Sequence, residues 1–453
     1  MSMLNKGQKI LLTIKRLGIN GEGIGYYKRK AVFVDGAIPP EEVIVKITKV
    51  HDNYAFGEID RIRLRAQQRT KPFCPYYDEC GGCQIQHINY NEQLLLKQEM
   101  LEQAFDRYTN IDTKDISFKL MEGMRHHTHY RHKSQMPVRN TKSGLTTGLY
   151  RRDSNDLVDV VHCPVHTEFI NQTNEEVIAI CDKHKIYAFN PKTMYGMLRY
   201  IVIRQSHLND EVQVTLVVTI FNKALFDVAN EIIKLPNVVS VGISKNRDVE
   251  NVEIFGDNVE ILAGKDTIRE GIGDIVYDLQ PKAFYQLNPV QAIKLYQYVK
   301  EQIDDIGKKT IIDGYCGAGA MSLYLAKSAK KVYGIDISKE SIESAKHNAK
   351  ENNFEHITFH QGAMKDVLPK LYDKGVQPDV VVIDPPRSGL HDQTIDLLNR
   401  NVIDKIIYVS CNPSTLTKNI KLLSRRYKVK HVMSFDMFPH TSHIESVTIL
   451  EKR

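Results

Sequence analysis

Cys411 closes an apolar run, IIYVSCNPS, which delivers it to the polar Asn412 and the rigid Pro413. A buried cysteine usually packs as a small hydrophobe. One placed at the polar end of a strand is set for chemistry, because a thiolate is strongly nucleophilic and its free pKa of about 8.5 responds to its surroundings. Added to carbon 6 of a uracil ring, a thiolate turns the ring into an enolate whose carbon 5 can attack an electrophilic methyl group. The proton left on carbon 5 must then be removed before the thiol departs, and a carboxylate within hydrogen-bond reach is enough. Glu445, in PHTSHIES beside His443, is the candidate base.

A methyl donor needs its own site. The strand-like TIID runs into DGYCGAGAMS, a glycine-rich turn that lets a ligand approach the backbone before a helix starts. The next strand-like run, VYGID, ends in Asp336, about 20 residues on, where a carboxylate can accept hydrogen bonds from ribose hydroxyls. S-adenosylmethionine (SAM) and a dinucleotide are both served by this pairing. The full GxGxxG spacing favoured by a pyrophosphate is missing, since Met321 and Ser322 follow Gly319, which lowers the odds for NAD. A third apolar strand, in VVIDPPRSG, ends in Asp384 at the same carboxyl edge, placed for cofactor or substrate base.

Seven cysteines, an odd number, include a bunched set in CPYYDECGGC: Cys74, Cys80 and Cys83. With Cys163 as a distant fourth, they suit a four-thiolate site for zinc or iron–sulfur. Cys181 and Cys316 read as packing residues. The run RHHTHYRHKSQ, residues 125 to 135, holds an HxH and dense positive charge that suit a metal.

These residues need three kinds of element to hold them. Residues 1–62 show short β-branched runs broken by Gly and Pro, the pattern of a small antiparallel barrel. Tyr26, Tyr27, Phe33, Tyr54 and Phe56 lie there among lysines and arginines, as core or as a nucleic-acid surface. Residues 63–275 look α+β, with a helix over 89–106 and strands in YIVIRQ, EVQVTLVVTI, VVSVGIS and VEIFG. Residues 276–453 alternate strand and helix, implying a parallel sheet covered on both faces, an α/β Rossmann-like domain. Net charge is +6, but residues 1–71 hold 14 Lys+Arg against 7 Asp+Glu, so the positive excess sits in the N-terminal module and suggests a polyanionic partner. No apolar run reaches the ~18 residues of a membrane span, and no signal core opens the chain. A cytoplasmic enzyme is expected, with no obligate protein partner.

Taken together, FYQLN (284–288), DGYCGAG (313–319), DPPRSG (384–389), SCNP (410–413) and HIE (443–445) resemble the RNA uracil-5 methyltransferase family along the whole chain. The likeness is greatest to its 23S rRNA branch, with an N-terminal TRAM barrel (OB-like) and a 4Fe-4S cluster. The resemblance implies that Gln286, Tyr315, Asp336 and Asp384 hold SAM, that Cys411 is nucleophile and Glu445 base, and that Cys74, Cys80, Cys83 and Cys163 hold the cluster. For the run 125–135 it implies an RNA contact or a solvated face rather than a metal site. Some relatives carry Glu where this chain has Asp336. The implied product is 5-methyluridine in 23S rRNA. Alternatives are the same chemistry on tRNA and an RNA-binding protein of this fold without catalysis, which the presence of both Cys411 and Glu445 disfavours. Amino-group methylation of adenine or glutamine is a third; it needs no Cys411 and usually has an aromatic residue where Arg387 stands.

Overall fold

A computed structural model describes residues 4–248 and 253–453. The chain divides into two compact units: Met1–Arg125 with Pro386–Gly389 and Ser410–Thr448, and His126–Pro385 with Leu390–Val409 and Ile449–Arg453.

The first unit begins with a closed five-stranded barrel, β1 (Lys9–Leu17), β2 (Gly23–Tyr27), β3 (Lys30–Val34), β4 (Glu42–Val50) and β5 (Tyr54–Leu64), ordered β1-β2-β3-β5-β4. Alternate residues such as Ile10, Leu12, Ile14, Val43, Val45 and Ile47 fill it, as the period of two along a strand requires. Of the five barrel aromatics, Tyr27 packs against that buried cluster, while Tyr26, Tyr54 and Phe56 are exposed. Helix α1 (Tyr90–Tyr108) starts at Asn89, whose side chain caps the Glu92 N–H. α1 packs against helix Pro413–Leu423, and strand Tyr427–Phe435 pairs in parallel with the short strand Ser117–Phe118. The side of α1 that meets residues 434–440 is polar and buried. Lys97 Nζ donates to Asp436 Oδ1 at 2.6 Å, Tyr90 Oη donates to Asp436 Oδ2 at 2.8 Å, and Ser434 Oγ donates to Gln98 Oε1 at 2.8 Å.

The second unit holds two sheets that matter here. A seven-stranded sheet runs Val259–Gly264, Val238–Lys245, Val212–Val218, Leu198–Gln205, Lys133–Thr141, Gly144–Tyr150, Leu157–Asp159, with helices Glu168–Lys183 and Ala224–Ile232 packed on it around Ile201, Val214, Val228 and Cys181. The strand expected in VEIFG is not found. Val252 lies outside the described residues, and Glu253–Gly256 is irregular, tied by Asn246 Nδ2, which donates to the Glu253 and Ile254 carbonyls at 2.8 and 3.0 Å. A side-chain amide thus takes the place of a ladder.

Parallel strands Ile357–Gln361, Lys331–Asp336, Thr310–Gly314, Val380–Ile383 and Lys405–Ser410 lie side by side in that order. The first strand in sequence, Thr310–Gly314, has later ones on both sides, so the order reverses beside it. Ligands of open α/β sheets bind at such a switch point, outside the carboxyl ends. Among the described residues no helix is long and apolar enough to cross a membrane.

Candidate active-site residues

At that switch point the backbone turns sharply. Tyr315 (φ 66°), Gly317 (φ 54°) and Gly319 (φ 88°) are all left-handed, an uncommon state for Tyr315 that tight functional turns impose. A Cβ on Gly319 would stand 3.1 Å from Ala345 Cβ and from the Phe359 ring, while one on Gly317 would meet nothing within 4 Å. Gly319 therefore lets helix Ala320–Ala326 close on its neighbours, and Gly317 leaves open backbone for a ligand. Asp336 is fixed at the next strand end, its Oδ2 accepting from Gly317 N–H at 2.9 Å and its Oδ1 from Ser338 N–H at 2.8 Å. Tyr315 is held through a hydrogen bond to Thr394, and burial raises its pKa. This open glycine turn beside an oriented acid fits an adenosine-type ligand such as SAM.

Asp313, which sequence reasoning quoted within DGYCGAG but did not single out, is 2% exposed. Burial pushes its carboxyl up to about 7, and the charges of Asp384 and Asp336 push the same way, while a 2.5 Å bond from Ser322 Oγ opposes them. Burial also raises Asp384, to about 6. Both folded values lie above the ordinary 3.8. Each group's contribution to stability is thus complete below about pH 4 and is lost as pH rises through about 6 to 7. The ligand-free protein is expected to melt at lower temperature at pH 7.5 than at pH 5.5 for this reason, and Asp313→Asn is expected to flatten that difference in differential scanning fluorimetry. An unchanged slope in the variant would remove Asp313 from the account.

Gln286 lies half-buried on the loop before helix Pro289–Glu301. Sequence reasoning also missed what holds this loop: buried Arg204, whose guanidinium donates to the Gln280 carbonyl at 3.3 Å and to the Ala283 carbonyl. The Leu287 carbonyl accepts from His132 N–H at 2.8 Å. Only part of the run 125–135 is a solvated face. Arg125 and His126 are exposed, but burial pushes His132 down to about 4 and Lys133 well below its usual value. His129, within the HxH, faces Glu168 at 3.2 Å.

Cys411 and Glu445 belong to the first unit, as does the whole of SCNP, while DPPRSG changes unit after Pro385. Cys411 is half-buried immediately before Asn412, the N-cap of helix Pro413–Leu423. Asn412 Oδ1 accepts from Ser414 N–H at 3.1 Å, and Pro413 fits the first helical position because its missing N–H would have no partner there. The helix thus points its positive end at the cysteine, a setting that favours negative charge. Asn412 Nδ2 and Thr415 Oγ1 both donate to the Arg387 carbonyl at 3.1 Å. The Arg387 guanidinium in turn contacts both ring nitrogens of His443, at 3.2 and 3.3 Å. Glu445 is 6% exposed, and its neighbour Ser446 donates through Oγ to the carbonyl of Ser410, the neighbour of Cys411, at 3.3 Å. The chain segments carrying the thiol and the carboxylate are therefore fastened to each other.

Cys74 is half-buried, and burial with a nearby Cys80 raises its thiol. Among the described residues no group of three or more His, Cys, Asp or Glu is arranged to hold a metal ion. Cys163, in the second unit, is buried, with its backbone N–H donating to Asn171.

The profile of the tRNA (uracil-5-)-methyltransferase family matches residues 89–453, and that of the TRAM domain matches residues 4–59. The chain belongs to the tRNA (uracil-5-)-methyltransferase family. An uncharacterized RNA methyltransferase of Bacillus cereus is 40% identical over 455 residues, spanning 100% of this chain and 98% of the relative. Another, of Halalkalibacterium halodurans, is 41% identical over 452 residues, spanning 99% and 97%. Among solved structures, the Pyrococcus abyssi tRNA (uracil-54, C5)-methyltransferase in complex with S-adenosyl-L-homocysteine is similar at TM-score 0.77 and 30% identity, over 97% of this chain and 100% of that one. This uracil-5-methyltransferase family member is accordingly a SAM-dependent RNA methyltransferase, with a barrel that is its TRAM domain and a doubly wound sheet that is its methyltransferase fold.

Proposed function

We propose that this enzyme methylates carbon 5 of a uridine in 23S rRNA through a covalent adduct. Residues 1–62 act as the RNA-binding barrel, 63–275 as the central domain and 276–453 as the catalytic domain. The observation that carries the reading is the fastening of the Cys411 and Glu445 segments through Ser410 and Ser446, with the start of a helix behind the thiol. The Cys411 thiolate bonds to carbon 6, and the ring's C5–C6 electron pair moves into an enolate. Carbon 5 takes the methyl group from SAM as the donor's S–CH3 bond breaks, and S-adenosyl-L-homocysteine is left. Glu445 then removes the proton from carbon 5, the double bond re-forms, and the C6–S bond breaks to return the thiolate. Asp336 and Gln286 bind and orient the donor, Asp384 faces the donor or the base, and Tyr315 shapes the turn.

Asp336→Ala is expected to weaken SAM binding by roughly 30- to 100-fold, since it removes a charged acceptor and the anchor of Gly317 N–H. Equilibrium dialysis with labelled SAM measures this, and wild-type affinity in the variant would take Asp336 out of the cofactor site.

The same chemistry on tRNA is the second reading. It is favoured by the likeness, over 97% of this chain and so including the barrel, to a protein that acts on uracil 54 of tRNA. A TRAM barrel therefore does not by itself separate the two substrates. The deciding experiment is transfer of labelled methyl from SAM to unmodified 23S rRNA and tRNA transcripts, with nucleoside mass spectrometry. 5-Methyluridine in rRNA supports the first reading; label in tRNA alone replaces it with the second. A 4Fe-4S cluster on Cys74, Cys80, Cys83 and Cys163 rests on the family resemblance and on cysteine spacing. Iron and sulfide analysis of anaerobically purified protein tests it, with zinc in their place favouring the other four-thiolate site.

A further inference from the structure

Between the end of β5 and the loop that carries the cysteines, the first unit encloses a cleft of about 630 Å³. Arg63, Arg65, Arg69 and Lys71 line it, with Asp78 as the one acid among its lining residues. Arg69 is committed to the wall. Its guanidinium donates to both oxygens of the fully buried Glu41, at 2.6 and 2.7 Å, and to the Gly36 carbonyl at 2.5 Å. This bidentate pair anchors the loop to the barrel. The far wall is equally fixed, since Tyr77 Oη donates to the Gln84 carbonyl at 2.6 Å and Thr70 N–H donates to the His87 carbonyl at 2.9 Å.

The other three cations are placed differently. Arg63, Arg65 and Lys71 are exposed, and among the described residues no carboxylate is paired with any of them. Arg63, near the end of β5, and Arg65, just beyond it, both line the cleft. The floor between them and the loop is apolar, made by Ile59, Ile62 and Pro72. A rigid cleft with an unneutralised cationic rim and an apolar floor is suited to an anionic chain whose charges lie outside and whose sugars or bases lie inside. RNA has that chemistry, and the protein is an RNA methyltransferase. Almost all of this lining lies in residues 60–88, which neither the TRAM profile nor the uracil-5-methyltransferase profile covers.

We propose that this cleft is a second RNA-binding site, in which Arg63, Arg65 and Lys71 hold backbone phosphates of the substrate RNA away from the reacting uridine. The assignment rests on the RNA-methylating reading but is independent of which RNA is the substrate. It gives the segment between barrel and α1 a role in substrate affinity without a role in the chemistry.

The test compares wild type with Arg63→Gln/Arg65→Gln/Lys71→Gln, and with Lys192→Gln/Lys223→Gln/Lys234→Gln, which removes the same charge from exposed positions of the second unit. RNA affinity is read by filter binding from 50 to 300 mM KCl on whichever transcript the wild type methylates, with melting temperature and SAM binding confirming the fold. The cleft variant is expected to raise Kd about 10-fold or more near physiological salt and to reduce the salt slope by about 2 to 3, roughly one for each phosphate that is no longer neutralised. Its KM for RNA rises while kcat at saturating RNA stays near wild type. A cleft variant with wild-type Kd and slope overturns the proposal, as does an equal loss in the control variant, which would mean net charge alone was sensed. A folded wild type that neither binds nor methylates RNA overturns the functional reading itself, and the site with it.

Discussion

Cys411→Ala is expected to lower single-turnover methyl transfer by roughly 10⁴- to 10⁶-fold, the scale on which losing a covalent nucleophile acts, while leaving SAM affinity unchanged. The reason is chemical rather than structural. Without a thiolate at carbon 6, carbon 5 of uracil is too poor a nucleophile to take the methyl group, and no other side chain repairs that. The substitution is also structurally mild, because Cys411 precedes a helix whose cap and first turn are set by Asn412 and Pro413. Glu445→Gln separates the two halves of the mechanism. Addition and methylation should proceed, but proton removal slows by about 10²- to 10⁴-fold, so a methylated protein–RNA adduct accumulates. It would be seen as a retarded band on a denaturing gel that carries label from both SAM and RNA. Wild-type turnover in Cys411→Ala would exclude covalent catalysis. A Glu445→Gln enzyme that turns over normally would leave the thiol in place and require another base.

Lys97→Met is expected to be the most destabilising single change outside the reacting groups. Lys97 and Asp436 both have side chains with 0% exposure and meet at 2.6 Å. Removing one partner leaves the other charge buried without compensation, an effect of about 3–5 kcal/mol. Urea unfolding should show the loss, and Lys97→Met/Asp436→Leu should recover much of it, because the pair as a whole contributes far less than either half left alone. The Tyr90 hydroxyl, which loses Asp436 in the double variant, still accepts from Met124 N–H at 2.8 Å. A single variant within about 0.5 kcal/mol of wild type, the range of ordinary surface changes, would show that the pair is not closed in solution.

The parts of the molecule that were legible in the sequence are those written in local pattern. Strand–helix alternation after residue 291 gives the doubly wound sheet, and the strand ends that carry Asp336, Asp384 and Cys411 are where apolar runs stop. The helix over 89–106 shows in apolar residues at helical spacing. What escaped the sequence depends on partners far along the chain. Asp313 looks like any acid at a strand end, and only its enclosure with Asp336 and Asp384 raises its pKa. His132 and Lys133 sit in the most cationic-looking run of the central region, yet the fold half-buries them beside groups such as His207 and Phe255. Lys97 reads as a surface residue of an amphipathic helix, because nothing near it in sequence shows that Asp436 will be its counter-ion.

That last pairing also sets a timetable. Lys97 and Asp436 are 339 positions apart, and a ribosome adds roughly 5–20 residues per second, so α1 waits roughly 17–70 s after its own synthesis before its buried ammonium finds a carboxylate. Through that interval the helix cannot settle as it does in the finished protein, and the barrel emerges ahead of it with its own strand ladder and buried cluster. Nascent chains stalled before residue 436 should therefore resist protease across residues 4–64 while being cut within 90–108, and release of the last forty or so residues should close the unit in a single step.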